Sequence, residues 1–211
     1  MNRIEKAFLG IILGTIFPLI GFLGGWWSTS QVLATKWVFT VAFVGLALGL
    51  VVDGIILKKW VARAYEMDVR LWMGIFFFYS ICVFGFFMGV PVFNVGLAIP
   101  AGLVIGWKLA HQPADDKAEK RLTLRANLYT TGVMAFICAS SAFLALRDPT
   151  TAANLEGMLR LPFEVTHGMI IALIIVGGLV LLGLHWWLVA KTVRFARGVK
   201  GHQSLLNKLQ S

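Results

Sequence analysis

Six long apolar runs dominate the sequence, and short polar segments separate them. Each run has about the 20 residues that a helix needs to cross the hydrocarbon core of a bilayer. The alternating pattern of transmembrane barrel strands is absent from them, so helices must satisfy the backbone in lipid. The pattern predicts an all-α polytopic membrane protein whose chain, 1–211, forms one domain with six transmembrane helices, at residues 7–27, 37–57, 71–90, 92–109, 128–146 and 163–188.

Composition supports this prediction and excludes other classes of protein. Hydrophobic residues make up 58% of the chain and charged residues 14%, whereas soluble proteins average about 45–50% and about 25%. The spans leave no room for a sizeable soluble domain. The two cysteines, Cys82 and Cys138, exclude a disulfide-rich scaffold.

Positive charge is distributed unevenly between the connecting segments. The net charge is +9, and of the 19 Lys and Arg residues all but three (Lys36, Arg147 and Arg160) flank the side that carries both termini. The positive-inside rule therefore predicts cytoplasmic termini in a multi-pass protein of the plasma membrane. The basic tail, 191–211, is expected to lie along anionic headgroups, which makes the lipid bilayer the expected partner. No nucleic-acid partner is needed to explain the charge.

Small residues recur at the spacing that brings transmembrane helices together. In lipid, helices associate by close backbone approach at such residues. We therefore expect a compact bundle, a homo-oligomer or a complex with a partner membrane subunit. The GxxxG pairs are Gly10/Gly14, Gly21/Gly25, Gly45/Gly49, Gly85/Gly89 and Gly102/Gly106.

Two spans contain a proline near their middle, each four residues after a glycine: Gly14 precedes Pro18, and Gly96 precedes Pro100. A proline cannot donate to the carbonyl four residues earlier, so it interrupts the helix. Spans one and four occupy equivalent positions in a 3+3 inverted repeat, in which interrupted helices mark a transport site near the midplane. The alternative is two ordinary kinks.

Asp53 is the one acidic residue in the interior of a predicted span, since Glu164 lies at the very start of span six. Acids in the membrane are costly, and they often relay protons or bind cations. A structural ion pair with Lys58 or Lys59 at the cytoplasmic end of span two is the more common role for an acid at this depth.

Glu164 and His167 lie three residues apart at the outer start of span six, where a helix would place them on one face. A titrating pair at the outer mouth would suit proton coupling. Ordinary helix-start signals are the alternative. His185, farther along this span, is expected to anchor the helix near the inner interface.

Several specific chemistries are poorly supported. Two histidines at matching depth on facing helices, as a bis-histidine haem requires, are absent, and the two cysteines form no zinc motif. Nucleotide-binding glycine motifs are also absent. Ser141 and His167 would suit an intramembrane hydrolase, but the sequence around Ser141 lacks the GxSG pattern. We therefore expect no metal or other cofactor, and we favour a non-enzymatic role.

Two functions follow from these features. The first is a small transporter or channel for a solute, ion or lipid, with a substrate site near the kinked spans one and four. The second is a non-catalytic membrane subunit or scaffold that packs against partner chains. The paired prolines favour the first, and the scarcity of charge within the spans favours the second.

Overall fold

A computed structural model describes residues 1–112, 115–160 and 162–209, and this part of the chain contains helices and no strand. Its eight α-helices are α1 (Arg3–Gly14), α2 (Ile16–Thr29), α3 (Thr35–Ala62), α4 (Val69–Phe86), α5 (Ala98–His111), α6 (Asp116–Arg147), α7 (Thr151–Leu159) and α8 (His167–Leu209), and a 3-10 helix covers Pro91–Leu97. The side chains from residue 199 onwards, and with them much of the predicted basic tail, lie outside the described set.

Six helical segments are long and apolar enough to cross a membrane, which confirms the predicted all-helical, six-span character of the chain. They are Arg3–Thr29, Thr35–Ala62, Val69–Phe86, Pro91–His111, Asp116–Arg147 and His167–Gly198. The chain divides into two compact units, Met1–Met67 with the first two spans and Asp68–Ser211 with the other four. The 3+3 repeat and the orientation stay predictions.

The first unit is a hairpin of α2 and α3, with α1 also packed on α3. Gly21 and Gly45 form its closest contact: a Cβ built on either glycine would overlap the backbone carbonyl of the other. Glycine at both positions therefore allows the two backbones to touch. Leu9 and Leu13 of α1 are fully buried in this unit.

The second unit is organised around α8, which packs against α5 and α6, while α4 packs against α6. Gly102 of α5 allows the close approach to α8, because a Cβ at this position would lie 2.7 Å from the Cβ of Thr192. The core cluster between these helices consists of Ala98, Leu109, Val189 and Val193.

Several helix boundaries differ from the sequence prediction. Span four opens with the 3-10 helix Pro91–Leu97. Span six begins at His167, four residues later than predicted, where the Thr166 hydroxyl accepts the Met169 N–H at 3.3 Å. The segment predicted as an outer loop contains α7, which follows Asp148; this side chain accepts both the N–H and the hydroxyl of Thr150. Those two hydrogen bonds lower the pKa of the Asp148 carboxyl.

Candidate functional site

The first span is interrupted where the sequence predicts. Helix α1 ends at Gly14 and α2 begins at Ile16, and Thr15 between them has φ −98° and ψ −7°. Pro18 has no N–H to donate to the carbonyl of Gly14. The Thr15 hydroxyl donates to the carbonyl of Ile11 at 2.9 Å, an arrangement that often bends helices. The missing N–H of Pro18 and the hydroxyl of Thr15 therefore both contribute to the break.

Helix α3 packs directly against this break. Pro18 is buried, and Gly49 faces it. A Cβ at Gly49 would lie 2.5 Å from the carbonyl carbon of Phe17 and 2.6 Å from the Cα of Pro18. Any side chain at this position would push α3 away from the proline.

Asp53 follows Gly49 by four residues, so both lie on the same face of α3. The aspartate is 6% exposed, and its Oδ2 lies 3.7 Å from the point that a Cβ at Gly14 would occupy. Within the described residues this oxygen has no hydrogen-bond partner. The structure thus brings together three of the predicted site residues: Gly14, Pro18 and Asp53.

The ion pair expected between Asp53 and Lys58 or Lys59 is not formed in the described part of the chain, where the identified salt bridge joins Glu119 and Arg197 instead. Asp53 faces α1, whereas lysines five and six residues further on leave its side of the helix. A buried carboxylate without a partner is costly unless it is protonated or binds a cation. The chemistry of the first unit therefore suits a proton or a small cation.

The second break has a different geometry. Pro100 lies in the first turn of α5, directly after the 3-10 helix Pro91–Leu97. Proline is tolerated there, since the N–H groups of a first turn lack helical partners. Pro100 therefore lies in the middle of span four, Pro91–His111, as predicted, but just after the change from a 3-10 helix to an α-helix and not within one continuous α-helix. Gly96 is exposed, and no atom lies within 4 Å of a Cβ built on it.

Glu164 and His167 do not form the predicted pair on one helix face. Helix α8 begins at His167, so Glu164 precedes it, and both residues are exposed. The segment before the helix is tied to α7, since the Val165 N–H donates to Glu156 Oε1 at 2.5 Å. Ser141, the nucleophile considered for a hydrolase, forms no hydrogen bond with His167 in the described residues.

Sequence reasoning missed a buried polar group in the second unit. His185 is fully buried, in contrast to the expected interfacial anchor, and its ring lies 6.2 Å from that of Phe76. Neither ring nitrogen has a partner among the described residues. The neighbouring Trp186 carbonyl accepts from Asn127 Nδ2 at the long distance of 3.5 Å. The sequence signal for this buried polar region was Asn127, a polar residue directly before the apolar run of span five.

A second missed contact lies in the first unit. Glu5 is 1% exposed, and the Tyr65 hydroxyl donates to its Oε2 at 3.2 Å. Burial, followed by the negative charge of Glu5 and this hydrogen bond, raises the pKa of Tyr65 well above its usual range. Glu5 precedes the predicted first span, 7–27, so hydropathy gave no sign that it is buried.

Two open cavities lie near the ends of spans. One, of about 500 Å³, is lined by Lys59, Trp60, Arg63 and Glu66 among others. The other, of about 370 Å³, lies between α5 and α6. Neither cavity is lined by Pro18 or Pro100, so neither of the two reaches a helix break.

The chain matches no family model, and it shows no significant similarity to a curated protein or to a solved structure. Its function is therefore inferred from the geometry of the chain's own residues.

Proposed function

We propose that this protein is a small integral membrane transporter or channel, with a proton or small cation bound by Asp53 beside the broken first span. The observation that carries the proposal is the buried Asp53 carboxylate, which faces Gly14 and has no partner among the described residues. Interrupted helices and acids within the membrane are both typical of ion sites in transporters.

The break in the first span adds a backbone carbonyl oxygen to the oxygens of the Asp53 carboxylate. A cation in the membrane needs several oxygen ligands in place of its water. Because Pro18 cannot donate a hydrogen bond, the Gly14 carbonyl lacks its helical partner, and the Asp53 carboxylate lies near this residue. One carboxylate and one or more backbone carbonyls form a suitable starting set for a small monovalent cation, and a proton needs only the carboxylate.

The other predicted site residues have lesser roles in this proposal. Gly96 lies in the 3-10 helix just before α5 and Pro100 in the first turn of α5, where a change of backbone conformation costs little. Glu164 and His167 are exposed at one end of span six, a position that suits capture of protons or cations from water. They are accessory groups, not ligands.

The proposal includes an orientation with both termini in the cytoplasm and a location in the plasma membrane. The supporting observation is the concentration of Lys and Arg on the side of the termini. Cysteines introduced at Ser30, in the first turn on the opposite side, and at Asp115, before α6, test it. A membrane-impermeant thiol reagent should label intact cells at the first position only, and the reverse pattern would contradict the orientation.

A second function, a non-catalytic membrane subunit, is favoured by one observation on span six. Only 6% of the most apolar window of His167–Gly198 is buried in the chain, so this helix offers a long apolar face to lipid or to a partner. Native mass spectrometry of the gently purified protein tests this alternative. A stoichiometric partner chain in every preparation would favour the subunit over the transporter.

Flux measurements in proteoliposomes test the transporter directly. The purified chain is reconstituted with a pH-sensitive or a Na⁺-sensitive dye inside, and a gradient of the corresponding ion is imposed across the membrane. We expect wild-type flux above that of empty liposomes and at least a tenfold loss with Asp53→Asn, which keeps the size of the side chain but removes the charge.

Asp148→Asn is the matched control, because Asp148 is exposed and lies outside the spans. Asparagine at this position keeps an oxygen that accepts from Thr150, so flux should be unchanged. Wild-type liposomes without flux of either ion, or equal flux through Asp53→Asn, would refute the proposal. Asp53→Glu keeps the charge and should retain part of the flux, which separates loss of the carboxylate from loss of the fold.

A further inference from the structure

A positively charged groove, here called the basic groove, lies in the second unit between the end of α5 and the first half of α6. Its volume is about 370 Å³, within the range of small-ligand sites. Its lining combines polar and charged side chains, here called the rim, with apolar side chains, here called the floor. The rim consists of Lys108, Gln112, Arg121 and Arg125, and the floor of Leu109, Ala118 and Leu122.

The two arginines supply the charge of this groove. Arg121 and Arg125 lie four residues apart on one face of α6, where like charges repel each other. The buried acid near them, Glu119, is committed elsewhere, because its Oε2 lies 2.5 Å from Nη2 of Arg197. The charge of Lys108 is partly offset by Asp68. A net positive charge therefore remains at the two arginines, and an anion would relieve their repulsion.

The floor of the groove suggests what kind of anion fits. Leu109 is 3% exposed, and Leu122 packs against the same core cluster. An apolar floor beneath a cationic rim suits a ligand that is itself part charged and part apolar. A small hydrated anion would gain nothing from the leucines.

The position of the groove adds a second argument. Span four ends at His111, so the groove begins where a membrane-spanning segment ends and headgroups are expected. Arginine is well suited to phosphate, because its planar group donates two parallel hydrogen bonds. Lipid headgroups bind in basic pockets of this kind between transmembrane helices.

We propose that the basic groove binds the phosphate group of an anionic phospholipid, with the first carbons of the lipid against Leu109 and Leu122. Arg121 and Arg125 hold the phosphate, and Gln112 donates from the opposite side of the rim. This site requires no transport activity and is separate from Asp53, which belongs to the first unit.

Lipid retention by the full-length protein tests this inference. The protein is placed in nanodiscs of phosphatidylcholine with a minor share of phosphatidylglycerol, extracted in mild detergent, and analysed by native mass spectrometry. We expect phosphatidylglycerol to be enriched on the wild-type protein. Arg121→Gln combined with Arg125→Gln should reduce the enrichment about tenfold or more, since each such charge contributes substantially near a membrane surface.

Lys117→Gln combined with Lys120→Gln is the matched control: it removes the same charge from the same helix at positions that do not line the groove. Its enrichment should stay within about twofold of wild type, as expected for general surface charge screened by salt. Equal losses in the two double variants would show an unspecific surface effect and overturn the site. Unchanged enrichment in the arginine variant would also overturn it.

Inorganic phosphate separates the lipid from a soluble source of the same group. Millimolar phosphate, compared with chloride at equal ionic strength, should leave the enriched lipid in place. Displacement of the lipid by phosphate alone would show that a soluble phosphate compound is the ligand, and would refute the lipid assignment.

Discussion

The two prolines that follow a glycine by four residues lie in different surroundings. Pro18 is buried, faces Gly49 across a backbone contact, and lies in the same cluster as Asp53. Pro100 is half-buried in the first turn of α5, and Gly96 before it has open space around it. Each proline is thus the third residue of an α-helix in the middle of a span, but the first is packed against a neighbouring helix and the second follows a 3-10 helix with open space beside Gly96.

The difference comes from what surrounds each proline. Pro18 follows a full helix, α1, so the missing hydrogen bond falls inside a span and leaves a carbonyl there. Pro100 follows a 3-10 helix that Pro91 begins, and it occupies the same third position in α5 that Pro18 occupies in α2. A helix break can form a binding site only where a neighbouring helix supplies a polar side chain. In the first unit, that side chain is Asp53.

The largest effect expected from this comparison is on stability. Gly49→Ala places a methyl group against the backbone of Phe17 and Pro18, which cannot move without separating α2 from α3. We expect a loss of about 1–3 kcal/mol or more in the free energy of unfolding. The methyl group of Gly96→Ala would contact no neighbouring atom, so this change should alter the free energy of unfolding by less than about 0.5 kcal/mol. Thermal unfolding in detergent measures the stability of both variants. Equal losses would show that Gly49 and Gly96 do not differ in their packing.

The prolines themselves provide the next test. Pro18→Ala restores an N–H that can bond to the Gly14 carbonyl, so it should reduce the proposed ion flux about tenfold while the protein still folds. Pro100→Ala restores an N–H at the same position of α5, but no atom lies within 4 Å of a Cβ built on Gly96, so flux should stay within about twofold of wild type. Flux in proteoliposomes, normalised to folded protein, is the measurement. Equal losses at both prolines would favour the symmetric role that the inverted repeat predicts.

A smaller effect concerns pH and is confined to the first unit. The pKa of Tyr65 is raised in the folded state, so its contribution to stability is complete below the unfolded pKa of about 10 and is lost as pH rises above that value. Tyr65→Phe should cost about 1 kcal/mol at neutral pH and should flatten the alkaline fall in stability. An unchanged alkaline slope in the variant would show that Tyr65 does not titrate as described.

The fold was largely predictable because membrane spans follow from length and apolarity alone. Each of the six predicted runs overlaps one of the six long apolar helical segments, and Gly14 and Pro18 correctly marked the first break. Helix ends were less predictable, since they depend on local side-chain bonds such as that of Thr166 to Met169. The short helix α7 has too few residues for a periodic pattern to stand out.

The candidate site was only partly predictable. Asp53 stood out because an acid within a span is rare, but its lack of a partner depends on which face of α3 meets α1. Buried Glu5 and His185 were misjudged, because their positions near span ends resemble those of exposed interfacial residues. Tertiary packing decides burial at such positions, and hydropathy does not report it.

The central claim is that the Asp53 carboxylate has no protein partner and is available to a cation. The most direct measurement is the Tm of Asp53→Asn relative to wild type, in detergent free of added Na⁺ at neutral pH. Removal of a buried, unpaired charge should leave the Tm equal or raise it. A fall corresponding to about 3 kcal/mol or more, typical of breaking a buried ion pair, would show that Asp53 is a structural residue and would contradict the account.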